Sequence, residues 1–216
     1  MKASVIHPDS ELRFINPIIG YGLFATKFLP KGTITWVCDP LDQIIPGAAA
    51  AEFSGLAKQA LEKYSYLNGN GDRILCWDHA RYVNHSCNPT CLAAGFDFEI
   101  AVRDVFTGEE ITDDYGTLNL EQEMICHCGD PQCRRLLRPD DFHTYGKRWD
   151  EIVADAFFRL PDAEQPLWEL VKEKDLVAQV LARSVPIPSC LAHRFQSAGG
   201  ATVDAPSYLL SGSANT

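Results

Sequence analysis

Arg81–Cys91 reads "RYVNHSCNPTC". It gathers Asn84, His85 and Cys87 within one short run and follows them with Pro89, which marks a tight loop rather than a helix. These residues alone leave three chemistries open to Cys87: a nucleophile beside a histidine, an inert core thiol, or a ligand of a metal whose partners lie elsewhere. The nucleophile reading is weak. Residues two apart in a loop rarely face each other, and no third group is at hand to orient the imidazole.

Further along, "CHCGDPQC" supplies Cys126, Cys128 and Cys133. Three thiols this close cannot sensibly pair among themselves, and Gly129 and Pro131 turn the segment so that it can wrap an ion. Structural zinc takes four ligands, commonly all thiolate. The triad is one ligand short, and Cys87 is the residue that closes it. His127, wedged between two of the thiols, is hard to aim at the same ion. Cys38, Cys76, Cys91 and Cys190 read as small apolar residues.

The chain has 216 residues, enough for one well-buried core plus an appendage. Its 46% hydrophobic and 22% charged content is that of an ordinary globular protein. No apolar run is long enough for a membrane span, and "MKASVIHPDSELRF" has no signal-peptide core. The expected location is therefore cytoplasmic or nucleus-associated. A net charge of −10 argues against direct nucleic-acid binding and favours encounter with basic partners.

From Leu12 to about Val102 the pattern is mostly short strands between turns. "GLFAT" (Gly22–Thr26), "TITWV" (Thr33–Val37) and "FEIAV" (Phe98–Val102) are β-rich. One helix interrupts them, its stripe made of Phe53, Leu56, Ala57, Ala60, Leu61 and Tyr64. Beyond Pro139 the periodicity turns helical, with Trp149, Ile152, Val153, Ala156, Phe157 and Leu160 on one face. Leu176, Val177, Val180 and Leu181 form a later stripe. These faces pack on the domain or on a second copy of the chain, so a homodimer through the C-terminal helices stays open. The Ser-, Ala- and Gly-rich stretch from Ser184 reads as a flexible tail.

The ordered set of motifs resembles the SET-domain protein lysine methyltransferases. "GYG" (Gly20–Gly22) is similar to that family's G-x-G motif, and "RYVNHSCNPT" to its R-F-x-N-H-x-C-x-P-N motif. "GEEITDDYG" (Gly108–Gly116) and the post-SET pattern of "CHCGDPQCR" follow in the family's order. "WVCDPLD" is closer to the small bacterial-type members. The resemblance implies an α+β, β-dominated fold of short curved sheets with a knot-like crossing, followed by a C-terminal helical extension. It divides the chain into a catalytic core (1–117), a post-SET zinc segment (118–138), the helical extension (139–183) and the tail (184–216).

By the same resemblance, S-adenosylmethionine binds at Gly20, Tyr21, Gly22, Arg81, Asn84 and His85. Tyr115 is the catalytic tyrosine, Tyr66 and Asp113 belong to the substrate channel, and Cys87, Cys126, Cys128 and Cys133 hold zinc. The implied substrate is a lysine of a basic protein such as a histone. Asp113 departs from the family, which has an aromatic residue two before the tyrosine, so the number of methyl groups added is open. Asp114 reads as structural. The rival reading is a non-catalytic zinc module that recruits partners through its C-terminal helices.

Overall fold

Glycine and proline cut the first two thirds of the chain into strands no longer than seven residues. In this computed structural model, which describes residues 5–195, the order begins with β1 (Ser10–Asn16), β2 (Gly20–Ala25), β3 (Ile34–Val37) and β4 (Gln43–Ile45). Two helices follow, α1 (Gly47–Ala51) and α2 (Gly55–Tyr64). Next come β5 (Ser65–Leu67), β6 (Arg73–Leu75), β7 (Asn84–His85), β8 (Cys91–Phe96), β9 (Phe98–Ala101) and β10 (Glu110–Asp113). A small ribbon, β11 (Met124–Ile125) with β12 (Leu136–Leu137), precedes α3 (Asp141–Phe157) and α4 (Lys174–Leu181). No helix among the described residues is long and apolar enough to cross a membrane.

The strands make several small open sheets rather than one large one, ordered β1-β2-β10-β7, β3-β9-β8 and β4-β6-β5. Alternation of side chains gives the β3-β9-β8 sheet two apolar faces. Ile34, Val37, Leu92, Phe98 and Ile100 point toward α3 and α4, where Trp149, Val153, Phe157, Val177 and Val180 complete one core cluster. Trp36, Cys91 and Ala101 point the other way and meet Leu23, Ala25 and Ile111 in a second cluster. The stripes of α3 and α4 are thus spent on the chain's own sheet.

Within the sheet β1-β2-β10-β7, β10 pairs parallel with β7, Thr112 beside Asn84 and Asp113 beside His85. That pairing brings "NH" and "DDYG" together across nearly thirty residues of sequence. The two-residue β7 is entered from a 3-10 turn, His79–Tyr82. Asp78 caps it by accepting from the Ala80 N–H at 2.9 Å, while its other oxygen accepts from the Ile6 N–H and ties down the N-terminal segment.

Two expectations change. The α2 helix exists, but its stripe is not a core face: only Leu61 is buried, and Leu56 is 83% exposed. Its last turn alone leans on the body of the protein, so most of the apolar periodicity goes unused. Residues 184–195 of the expected tail are also packed on the protein. Cys190 is buried, Ser189 Oγ donates to Asp150 at 2.6 Å, and Val185 and Ile187 pack against the first cluster. The rest of the expected tail, 196–216, lies outside the described residues.

Phe157 is fully buried and stacks on Phe96 at 5.5 Å, which in turn stacks on Phe98 at 5.2 Å. Phe157→Ala should therefore cost about 3–5 kcal/mol in denaturant unfolding, with the midpoint falling and the slope unchanged.

Candidate cofactor and metal site

Of the residues expected at the cofactor, Asn84 and His85 line one cleft, and the Tyr21 backbone adjoins them through Asn84. Asn84, on β7, donates through Nδ2 to the Tyr21 carbonyl at 3.0 Å and to Glu110 Oε1 at 2.7 Å. A β-carbon on Gly22 would fall 2.4 Å from that glutamate oxygen and 2.9 Å from the Asn84 amide, so a larger residue there would displace both side chains. The Tyr21 ring faces outward instead, edge-on to Phe14 and Tyr82. Asn84, His85, Glu110, Ile19, His127 and Cys128 are among the walls of the cleft. A second hollow, at Phe158 and Arg183–Ile187, lies among none of these motifs.

Arg81 does not join them. Its guanidinium donates to the carbonyls of Trp77 and Asp78, holding the turn that leads into β7. An arginine within reach of free carbonyls at its own turn satisfies them first. Its place is structural support one step behind Asn84.

Tyr115 follows β10 in a 3-10 turn capped by Asp114, whose Oδ1 accepts from the Gly116 N–H at 3.0 Å. The Tyr115 hydroxyl donates to the Val83 carbonyl at 2.7 Å, and its N–H donates to His85 Nδ1 at 3.1 Å. Burial, reinforced by the Asp113 carboxyl, raises the phenol above its ordinary range, so it is a neutral hydrogen-bonding group. Burial also lowers His85, to about 4, with Arg134 adding to the effect and Asp114 opposing it. The imidazole is therefore neutral at physiological pH. In the tautomer whose Nδ1 accepts from Tyr115, the proton is on Nε2, which faces Cys87 Sγ at 3.3 Å.

Tyr66 and Asp113 turn toward the second core cluster. Tyr66 packs against it with its ring edge-on to Trp36 at 6.4 Å. Asp113 is 2% exposed, and its Oδ1 accepts from the Asp114 N–H at 2.6 Å. Burial pushes its carboxyl up, as do the Glu99 and Asp114 carboxylates beside it.

The cysteines of the two distant motifs meet at the cleft's edge. Cys87 Sγ lies 3.7 Å from Cys126 Sγ and 4.0 Å from Cys133 Sγ. Zinc–thiolate bonds of about 2.3 Å in a tetrahedron place sulfurs about 3.8 Å apart, so these separations suit that ion. Ligand atoms of His85, Cys87, Cys126 and Cys128 all fall within 4.8 Å of one another. Backbone amides turn toward the sulfurs: Arg134 N–H to Cys87, Cys128 N–H to Cys126 and Arg135 N–H to Cys133, at 3.3–3.4 Å. Burial opposes ionisation of Cys128, but the amides of Cys87 and Asp130 and the neighbouring thiols outweigh it and bring it down to about 7.

Arg134 was not singled out from the sequence, yet it joins the parts. Its guanidinium pairs with Asp114 Oδ1, approaches Asp141 at 3.6 Å and lies over the Tyr145 ring at 4.7 Å. Asp114 Oδ2 meanwhile accepts from the Trp149 indole at 3.1 Å. The signal available in sequence was slight: a basic residue directly after the last cysteine. Asp114 is buried and Arg134 half-buried, so Arg134→Ala strands a carboxylate. It is expected to cost about 3–5 kcal/mol in urea unfolding, with Arg134→Lys recovering part of the loss.

Parts of the chain are similar to known proteins. Histone-lysine N-methyltransferase 2D of Homo sapiens is 32% identical over 133 residues, covering 56% of this chain and 2% of that protein. Histone-lysine N-methyltransferase trr of Drosophila melanogaster is 36% identical over 140 residues, covering 56% of this chain and 6% of that protein. The chain thus spans a small fraction of the length of these relatives. The solved methyltransferase domain of human Histone-lysine N-methyltransferase SETMAR superposes with a TM-score of 0.43 at 17% identity, over 61% of this chain and 58% of that one. Residues 20–116 match the family model described as SET domain. That match runs from the Gly20–Gly22 strand through the Asn84 loop to Gly116.

Proposed function

We propose that the chain transfers methyl groups from S-adenosylmethionine to lysine side chains of a basic protein, a histone or histone-like protein being the nearest chemical description. The observation that carries this reading is the parallel pairing of β7 with β10, which sets Asn84 and His85 beside Tyr115. It is supported by relatives named as histone-lysine N-methyltransferases and by the chain's net charge of −10, which suits a lysine-rich partner.

The cleft fits the cofactor in kind. Its walls carry the Asn84 amide, charges of both signs in Arg103 and Glu110, and the apolar Ile19. In this reading the backbone of Gly20, Tyr21 and Gly22 and the Asn84 amide hold S-adenosylmethionine, with Glu110 fixing the amide's orientation. When bound, that group supplies an electrophilic methyl carbon on a sulfonium. The Tyr115 hydroxyl and the Val83 carbonyl it bonds offer oxygen acceptors for weak C–H···O contacts with a polarised methyl group. They also restrict the angle at which an amine can approach.

Four thiolates, Cys87, Cys126, Cys128 and Cys133, are the zinc ligands in this reading. His85 stands close enough to compete. However, in the tautomer whose Nδ1 accepts from Tyr115, the imidazole has no lone pair left to give a metal. It is better placed to donate to the Cys87 thiolate, as groups behind metal ligands commonly do. Zinc then ties the cofactor loop to the segment 118–138, and 139–183 is the helical extension that backs the core. The rival module would recruit through the apolar faces of α3 and α4, which are already packed inside the chain.

Calorimetry of the zinc-loaded chain with S-adenosylmethionine should give saturable binding, lost in Asn84→Ala. Tyr115→Phe should keep that binding and lower turnover by about a hundredfold or more. Absence of binding by a folded, metal-loaded chain would transfer the assignment to the recruiting module. Chelation should release one zinc per chain and, because the ligands come from two distant loops, weaken cofactor binding as well. A chain stripped of zinc that binds cofactor normally would break the link between the two sites.

A further inference from the structure

The chain beyond α4 returns across the protein as a strap, 188–195, that includes one short turn, Cys190–His193. Two glycines receive its ends. A β-carbon on Gly95 would fall 2.4 Å from the Pro188 carbonyl oxygen, and one on Gly71 would fall 2.6 Å from the Phe195 ring. Both have positive φ, +70° and +84°, so a side chain there would be strained as well as crowded. Between these ends the strap is pinned to α3. Asp150 accepts from the Ser189 hydroxyl at 2.6 Å and from the Cys190 N–H at 2.8 Å.

One side chain joins the strap to the site. Asn119 follows directly on the Tyr115 turn, which closes through the Thr117 N–H on the Asp114 carbonyl and the Leu118 N–H on the Tyr115 carbonyl. Its Nδ2 donates to the Leu67 carbonyl of β5 and to the His193 carbonyl of the strap, both at 2.9 Å. Its Oδ1 accepts from the Phe195 N–H at 2.7 Å. Both amide hydrogens and the amide oxygen are therefore spent on backbone groups. The residue also sits at φ +54°, a conformation that asparagine adopts more readily than most residues.

We propose that Asn119 is a positioning residue for Tyr115, and that the strap is the anchor it uses. The proposal rests on the methyltransferase reading above and names what holds the far end of the tyrosine's turn. Asp114 fixes the near end through Arg134 and Trp149. A turn held only there could still pivot. Asn119 fixes its exit against β5 and the strap, which keeps the Tyr115 hydroxyl on the Val83 carbonyl. Neither Asn119 nor any strap residue lines the cofactor cleft, so their effect reaches the chemistry through the turn. A displacement of about 1 Å at a positioned group can cost about a hundredfold in rate.

The test uses the full, zinc-loaded chain with 13C at the ζ carbons of its tyrosine rings. The Tyr115 signal is the one missing from Tyr115→Phe. Asn119→Gly keeps the left-handed backbone and removes only the amide. It should displace the Tyr115 signal, which reads the bond to Val83, and lower kcat on core histones by about tenfold or more. KM and S-adenosylmethionine affinity should be unchanged. Asn119→Asp turns an oxygen on two carbonyls and should not restore the signal. Phe195→Ala, at the strap's end, should move it in the same direction by less. An unmoved signal in a folded Asn119→Gly chain overturns the proposal, as does a displaced signal with unchanged kcat. A wild-type chain that binds no S-adenosylmethionine overturns the methyltransferase reading instead, and the Tyr115 signal still decides whether Asn119 sets the turn.

Discussion

Asp114 occupies the point where three parts of the chain meet. Its Oδ1 caps the turn carrying Tyr115 and pairs with Arg134 from the cysteine segment, while its Oδ2 accepts from Trp149 on α3. The residues that bond it come from stretches far apart in sequence. A buried carboxylate is costly unless its lone pairs are filled, and here each is filled by a different element. The carboxylate therefore fixes how the Tyr115 turn, the cysteine segment and the helical extension sit relative to one another. Gly116 is part of the same constraint, because a β-carbon there would meet the Trp149 ring at 2.9 Å.

The site inherits its geometry from that junction and from one parallel strand pair. β7 has only two residues and could not hold its course alone. It is framed by the Asp78-capped turn before it, by β10 alongside and by the thiol cluster after it. Asn84 and His85 are consequently oriented from three sides, and each uses one hydrogen bond to reach the next motif: Asn84 to the backbone of Tyr21, and His85 to the backbone of Tyr115. Side chains placed this way need little reorganisation when a ligand enters.

Much of this was legible in the chain. The strand-rich first half and the helical second half follow from periodicity, and the ordered motifs resembled the domain that residues 20–116 match. Asp114 was read as structural, and it is. Where legibility failed, the cause was local competition. Arg81 found carbonyl acceptors at its own turn, and the α2 stripe had no partner layer to cover it. Ser184–Phe195 looked like tail by composition, but long-range packing of Cys190 and its neighbours overrides a weak local propensity.

The sequence by itself determined the inventory: which residues carry amides, thiols, phenols and carboxyls, and in which order along the chain. Spacing within a motif is a local property, so the thiol triad and the glycine pair could be read directly. Only the tertiary structure decided which groups share a space. The pairing of Arg134 with Asp114 and the setting of Asn84 and His85 beside Tyr115 depend on strand register and burial. Those quantities join residues far apart in sequence, and no local pattern encodes them, because the free energy that sets them belongs to the packed core as a whole.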